Sequence, residues 1–577
     1  MTNDIHDPLA EYVNVFRDRF YEVAEDTFSG IAEEANVDIE LNKQTCRKIY
    51  AKEKELSSVK NRADLWKFWR AMLWACVFGG IIAAYVKENE LTSEQLLLIF
   101  STIAIIIAYL FLRVHRRIDS LNGISNNLES TIHNLRDEAW KQMSPLNRLF
   151  DWDILTRMMS KTVPRLEFDP YFTTQRLADL TNVYAWDGSF NDNRSVIYSL
   201  SGLINGNPFV ICRTRKMEMG SKTYYGSKTI TWTTRERDSD GKYHTVYHTE
   251  VLTASVTAPY PEYYEKTRVI YGNTAAPDLI FYRRQNGLAN KEGSLSFKWK
   301  KYLLRRKARN LSNADFAMMT NEEFEVAFNT SNRNNNQQFA LLFTPLAQES
   351  IMALLKDKTV GYGDDFDFQK QKMINFIIPN HLQNLNLDMN PSQYQHFDYE
   401  KAKAYFRDVN AQYFRAIYFS LAPLLCVPMY QQIRPPHDIY GRNMKCHSAF
   451  WEHEALANFW GQKHFMHPSC VTDCILKTKQ SNDEGDKSTI TVYAHGYRAV
   501  QHLSYIDRWG GDGRMHKVPV YWYEYLPVTG TGKIRISEDN NFHDDVTISN
   551  HQRIEHICSV IKDTKLNIYR RHIASSV

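Results

Sequence analysis

The chain has 577 residues, 43% of them hydrophobic and 24% charged, with a formal net charge of +4. That length suits roughly two to four domains, and the composition is that of a mainly water-soluble globular protein. The near-neutral charge gives no general case for a nucleic-acid partner.

Between Pro8 and Pro145 there is no proline, and the only glycines are Gly30, Gly79, Gly80 and Gly123. Uninterrupted helices require such a composition. In residues 1–40, Leu9, Val13, Phe16, Phe20 and Val23 recur at spacings of three and four, which predicts an N-terminal amphipathic helix. Residues 42–142 read as a helical hairpin. Sixteen uncharged residues separate Arg70 from Lys87, and eighteen separate Glu94 from Arg113. As helices these runs are roughly 24 and 27 Å long, close to the ~30 Å hydrocarbon core of a bilayer. They predict transmembrane spans over 67–87 and 95–113, with Trp66, Trp69, Trp74 and Tyr85 suited to the interfaces.

Charge sets the orientation. Lys60, Arg62, Lys67 and Arg70 precede the first span, and Arg113, His115, Arg116 and Arg117 follow the second. The octet KENELTSE between the spans holds one Lys and three Glu. The basic flanks predict a plasma (inner) membrane protein with both termini in the cytoplasm and the octet outside. The first sixty residues are too polar for a cleavable signal peptide. Flanking the spans, Ile49, Leu56, Val59, Ala63 and Trp66 form one stripe, and Leu121, Leu128, Ile132, Leu135 and Ala139 another. Segments 42–70 and 113–142 are therefore expected to pair as an antiparallel coiled-coil stalk, about 42 to 45 Å long, bearing a cytoplasmic head.

From about Pro164, alternation replaces the helical period. SVIYSLSGLINGNPFVICRTRKMEM predicts two strands around an Asn-Gly turn, and KTITWTTRERDSDGKYHTVYHTEVLTASV a longer hairpin around Asp-Gly. EFEVAF and a polar loop, NTSNRNNNQQ (329–338), come next. QFALLFTPLAQESIMALLKD then reads as a strand running into a helix, and DDFDFQKQKMINFIIP as paired strands. Residues 164–380 are thus expected to form a mainly antiparallel α+β domain, with a mixed α/β region over 390–577. Over roughly 60–380, the hairpin, GLINGNPF, EFEVAF, FTPLAQESIMALL and the closing strand pair resemble a widespread family of bacterial two-span membrane proteins with a cytoplasmic domain of unknown function. The resemblance implies this topology and an inner-membrane setting, and it assigns no catalytic residues.

The densest chemistry lies in KCHSAFWEHEALANFWGQKHFMHPSCVTDC, which holds Cys446, His447, His453, His464, His467, Cys470 and Cys474. Such ligand types at short spacings suit tetrahedral zinc. His467, Cys470 and Cys474 are the expected trio, with His453 or His464 as a fourth ligand, or a water there and Glu452 or Glu454 as base. The alternative is a structured segment whose histidines make ordinary hydrogen bonds, with no cofactor. WEHEA lacks the second histidine of the metalloprotease helix. TGTGKI (529–534) lacks the leading glycine and the Ser or Thr of a phosphate loop and reads as a turn, as does GYGDD (361–365). In FKWKKYLLRRKARN, Lys298, Lys300, Lys301, Arg305, Arg306, Lys307 and Arg309 form a basic patch interleaved with Trp299 and Tyr302. Anionic lipid, nucleic-acid phosphate and plain solvent are the three readings of that patch. The other cysteines are Cys46, Cys76, Cys212, Cys426 and Cys558, expected as reduced thiols. Together these features predict a noncatalytic scaffold or binding protein, anchored in the lipid bilayer and presenting its head to an unidentified cytoplasmic protein or a second copy. A metal-dependent enzyme centred on 446–474 and a membrane-tethered nucleic-acid binder using 297–310 are the alternatives.

Overall fold

The computed structural model describes residues 5, 7–86, 93–309, 316–432, 447–482, 487–538, 567–570 and 573–576. Most of the KENELTSE octet, Cys446 and Cys558 lie outside these residues. In chain order the helices are α1 (Pro8–Glu11), α2 (Arg17–Glu34), α3 (Ile39–Val86), α4 (Ser93–Tyr109), α5 (Arg116–Leu149), α6 (Ile154–Thr162), α7 (Thr174–Ala178), α8 (Leu295–Arg309), α9 (Glu322–Phe328), α10 (Asn336–Leu342), α11 (Pro345–Lys356), α12 (Tyr399–Leu425) and α13 (Phe450–Trp460). The strands are β1 (Leu166–Phe168), β2 (Arg194–Ile204), β3 (Asn207–Arg237), β4 (Tyr243–Gly272), β5 (Ile280–Arg283), β6 (Phe366–Gln371), β7 (Ile374–Pro379), β8 (Ile475–Asn482), β9 (Lys487–Trp509), β10 (Met515–Glu538), β11 (Asn567–Arg570) and β12 (Ile573–Ser576). The chain is α+β, with long apolar helices near its N-terminus and antiparallel sheets beyond them. Its contacts divide it into two compact units, Ala24–Phe150 with Pro391–Val409, and Met1–Val23 with Asp151–Asn390 and Asn410–Val577.

In the helical unit, two stretches, Ile39–Ile82 and Leu97–Leu149, are long and apolar enough to cross a membrane. The second is continuous because a π-helical turn, Leu110–His115, joins α4 to α5. Helices α3 and α5 share three apolar clusters. Ile49 gathers with Ile132 and Ala139, Val59 and Ala63 with Leu121 and Leu128, and Trp66 and Trp74 with Leu110, Val114 and Ile118. Ion pairs follow the same seam, from Glu53 to Arg136 and from Lys60 to Glu129 at 2.7 Å. Seven residues up one helix match seven down the other, so the two run antiparallel. At the start of α3, Asn42 donates to Phe397 O at 2.9 Å and accepts from Tyr399 N at 3.0 Å.

The N-terminal stripe differs from the expected one. Tyr12, Phe16 and Phe20 are buried, while Leu9, Val13 and Val23 are only half-buried. A π-helical turn over Tyr12–Phe16 widens the helix locally and brings positions four apart into line. Phe20 then stacks on Phe414, with ring centroids 4.3 Å apart.

The β-rich unit holds a seven-stranded antiparallel sheet in the order β1-β2-β3-β4-β7-β6-β5 and a second sheet ordered β11-β12-β10-β9-β8. The Asn-Gly turn joins β2 to β3, with φ of 51° at Asn205 and 81° at Gly206, as a two-residue hairpin loop requires. The two expected hairpins share one strand. β3 is 31 residues long and pairs with β4 from Phe209 to Arg237, so the ribbon extends for about 100 Å. β9 and β10 pair over their whole length, from Trp509 opposite Met515 to Lys487 opposite Ser537. The ribbons stack where Ile230, Leu252 and Ala254 meet Val518 and Val520.

Other expectations change as well. QFALLF is no strand: it forms α10, whose first turn is capped by the Asn335 side chain, and Thr344 and Pro345 open α11. A short apolar run carries no signal separating the two conformations, and here the caps decide. EFEVAF is α9, capped by Asn321. TGTGKI is no turn either, because it lies inside β10. A Cβ on Gly530 would stand 2.1 Å from Phe465 O and 2.4 Å from His467 N. The glycine lets a loop pass directly over the strand backbone.

Candidate interaction surface

Helix α13 carries the WEHEA motif between the two sheets. Trp451 and Ala455 join the core over β2, β3 and β7, while Leu456 and Ala457 join the core of the second sheet. Its polar side chains are buried and used. Glu452 accepts from Phe172 N at 2.9 Å and from Ser199 Oγ at 2.8 Å. Glu454 accepts from Val196 N at 2.9 Å and pairs with Lys477 at 3.1 Å. Burial raises the pKa of Glu454 despite these donors. His453 Nε2 lies 2.7 Å from Ser448 Oγ, and the Glu538 carboxylate accepts from Ser448 N at 3.1 Å. Glu538 approaches the same ring nitrogen of His453, at 3.9 Å. A relay would need the acid on the other nitrogen, so this arrangement anchors β10 and does not activate Ser448.

Among the other described members of the Cys/His group, His447 Nδ1 lies 3.5 Å from the same Glu538 carboxylate, and His464 and His467 do not join it. His464 sits in a short 3-10 turn beside Trp460, and His467 Nδ1 lies 2.8 Å from Ser469 Oγ at the surface. Cys470 and Cys474 do come together, with Sγ atoms 3.7 Å apart. Burial pushes the Cys474 thiol up to about 12. Among the described residues, no three His, Cys, Asp or Glu side chains converge as metal ligands. Beside α13, a cavity of about 320 Å³ is lined by Leu177, Trp186, Phe190, Phe450 and Trp451, with Asp187 its one carboxylate. Its described lining can hold an apolar group, but it contains no acid–base pair.

No family model, curated protein or solved structure matches this chain.

Apart from the long apolar helices, exposed apolar side chains also gather on the stacked ribbons. Along β9 and β10 the side chains alternate. Val518 and Val520 point into the stack, while Leu503, Tyr505, Trp509, Met515, Tyr521 and Tyr523 are exposed. Register makes these exposed residues neighbours: Trp509 is opposite Met515, Tyr505 opposite Pro519 and Leu503 opposite Tyr521. Facing side chains of such pairs stand about 5 Å apart, so the residues line one face of the ribbon, with the exposed Asp507–Lys517 pair set between Trp509–Met515 and Tyr505. Prolines guard two edges. Pro259 and Pro261 lie on β4 beyond its pairing with β7, and Pro519 and Pro527 on β10 beyond its pairing with β12. Without N–H groups they cannot extend the sheet at those positions. Alternating aromatics are legible in the sequence, but their exposed side is not.

The basic patch forms α8. Lys301 and Arg305 pair with Glu322, and Lys307 donates to Ser331 O. Phe297 and Leu304 face inward with Phe316 and Val326. Two buried ion pairs nearby, Arg333 with Glu325 at 2.6 Å and Arg283 with Asp364, carry no sequence signal. Arg333 falls within what reads as a polar loop.

Proposed function

We propose that the protein is a noncatalytic scaffold of the inner membrane that presents its β-rich unit to a cytoplasmic protein. The exposed Leu503–Tyr505–Trp509–Met515–Tyr521–Tyr523 stripe carries this reading. Exposed apolar patches edged by charged residues mark protein interfaces, and Tyr, Trp and Met are enriched there. Support for membrane anchoring comes from Phe78, Ile82, Leu97, Leu98, Ile105 and Phe111, which all lie exposed on α3, α4 and the π-helical turn. Water would penalise that surface and lipid would solvate it. The α3–α5 seam supports a stalk of coiled-coil type, and the basic flanks support cytoplasmic termini. This is the topology of the two-span family that the sequence resembles.

Photocrosslinking in native membranes tests the reading. A crosslinker at Tyr505 or Tyr521 is expected to give a discrete adduct, and one at Thr233 on the other ribbon is not. Replacing Trp509 and Tyr523 with Ser should abolish that adduct while leaving the protein folded and membrane-bound. Absence of an adduct at every stripe position overturns the proposal.

A further inference from the structure

Helix α8 turns a second, chemically different face outward. Leu295, Trp299, Tyr302 and Leu303 are 85%, 64%, 54% and 40% exposed. At 100° per residue, positions 295, 299, 302, 303 and 306 fall on one side of the helix. Lys298 and Arg309 flank that stripe and Arg306 continues it at its C-terminal end, and all three are exposed. The opposite side is fixed, since Phe297 and Leu304 are buried and Glu322 ties down Lys301 and Arg305. The helix therefore projects an apolar strip beside cations that have no ion-pair partner among the described residues, with the Trp299 and Tyr302 rings 5.8 Å apart.

We infer that the outward face of α8 is a docking site for an anionic bilayer surface. Trp, Tyr and Leu at the centre insert among headgroups, while Lys and Arg at the border meet lipid phosphates and carboxylates. Two features select lipid over a nucleic acid. The face is mostly apolar, with Leu295, Trp299, Tyr302 and Leu303 exposed on it, which a phosphodiester backbone does not reward, and the chain's net charge of +4 offers no wider basic track. Two helices able to cross a membrane place a bilayer within the protein's surroundings. The inference rests on the membrane reading for that proximity alone.

The full chain, held in nanodiscs of phosphatidylcholine, is mixed with separate vesicles of phosphatidylcholine or of phosphatidylcholine with 30% phosphatidylserine, and co-sedimentation is measured. Retention on the anionic vesicles is expected to exceed that on neutral ones at least tenfold. Neutralising two cations, Lys298→Gln with Arg306→Gln, is expected to reduce it about thirtyfold. Trp299→Ser with Leu303→Ser is also expected to lower retention, although it leaves every cation in place. All four positions are exposed, and unchanged thermal unfolding confirms that the variants fold. Equal retention on both vesicle types, or retention unaffected by either double variant, overturns the inference. So does tighter binding of a duplex oligonucleotide than of the vesicles. Because the vesicles are separate from the nanodisc, failure here leaves crosslinking at the β9–β10 stripe unaffected.

Discussion

Lys370 on β6 is fully buried, and its ammonium has no hydrogen-bond partner among the described residues. The Tyr430 ring, with its centroid 5.5 Å from Nζ, is the nearby compensation. Burial lowers the pKa of this lysine from 10.5 to about 7. Between those values the unfolded chain binds a proton that the folded protein lacks, so this site's contribution to stability rises with pH across that window. Lys370→Met is therefore expected to stabilise the protein by about 3 kcal/mol at pH 7. The gain should shrink as the pH approaches 10, and urea unfolding at the two pH values checks both points. Glu538 is also shifted downward, but for a carboxylate a lowered pKa stabilises the folded protein at pH 7. Burial pushes its carboxyl up, but the nearby His453 and the hydrogen bonds from Ser448 outweigh burial and hold it below the usual range. Its stabilisation is present above the ordinary carboxylate pKa and is lost as pH falls through the lower, folded value. Glu538→Gln should cost about 1 to 3 kcal/mol at pH 7, with a smaller difference near pH 4. A neutral effect at pH 7 would show that the carboxylate does not anchor β10.

At the level of elements, two seams carry predictions. Leu128 and Ile132 sit in the apolar clusters shared by α3 and α5. Replacing both with Asp should cost several kcal/mol and lower the helicity of that pair, while membrane insertion, which depends on the apolar stretches, persists. Circular dichroism and membrane fractionation separate the two effects. The ribbon stack depends on Gly226, where a Cβ would stand 2.0 Å from Pro519 O. Gly226→Val should force β3 and β10 apart and cost about 1 to 3 kcal/mol. Exposed Tyr505 and Tyr521 would keep their register within β9–β10, so loss of stacking is readable as faster proteolysis of the ribbons without loss of the seven-stranded sheet.

For the whole molecule, the testable quantity is sidedness. A cysteine at Asn89 is expected to react with a membrane-impermeant thiol reagent on intact cells. Protection there, with labelling near either terminus, would reverse the orientation. Much of this scale is legible in the order of residues alone. Two uncharged runs between basic flanks predict a hairpin because the bilayer imposes a length and a charge rule on any sequence that crosses it, and the structure supplies two helices long and apolar enough for that length. The aromatic alternation near the C-terminus announces strands for a similarly local reason.

Local rules account for what the residues alone convey. The helix-rich first quarter, the Asn205-Gly206 turn and the β6–β7 pair each depend on interactions a few residues long, so their signals sit in adjacent positions. Other features are settled by distant neighbours. Period-two alternation looks the same in a strand of six residues and in one of 31, and only pairing from Phe209 to Arg237 makes β3 a single element. Gly530 reads as a turn because its reason, the Phe465–His467 loop, comes from another part of the chain. His453 and Cys470 are near in sequence, but α13 carries the histidine to Ser448 while the loop before β8 pairs Cys470 with Cys474. Which tyrosines face outward is likewise decided by the ribbons that bury their alternates, since burial is a property of the partner surface and not of the strand.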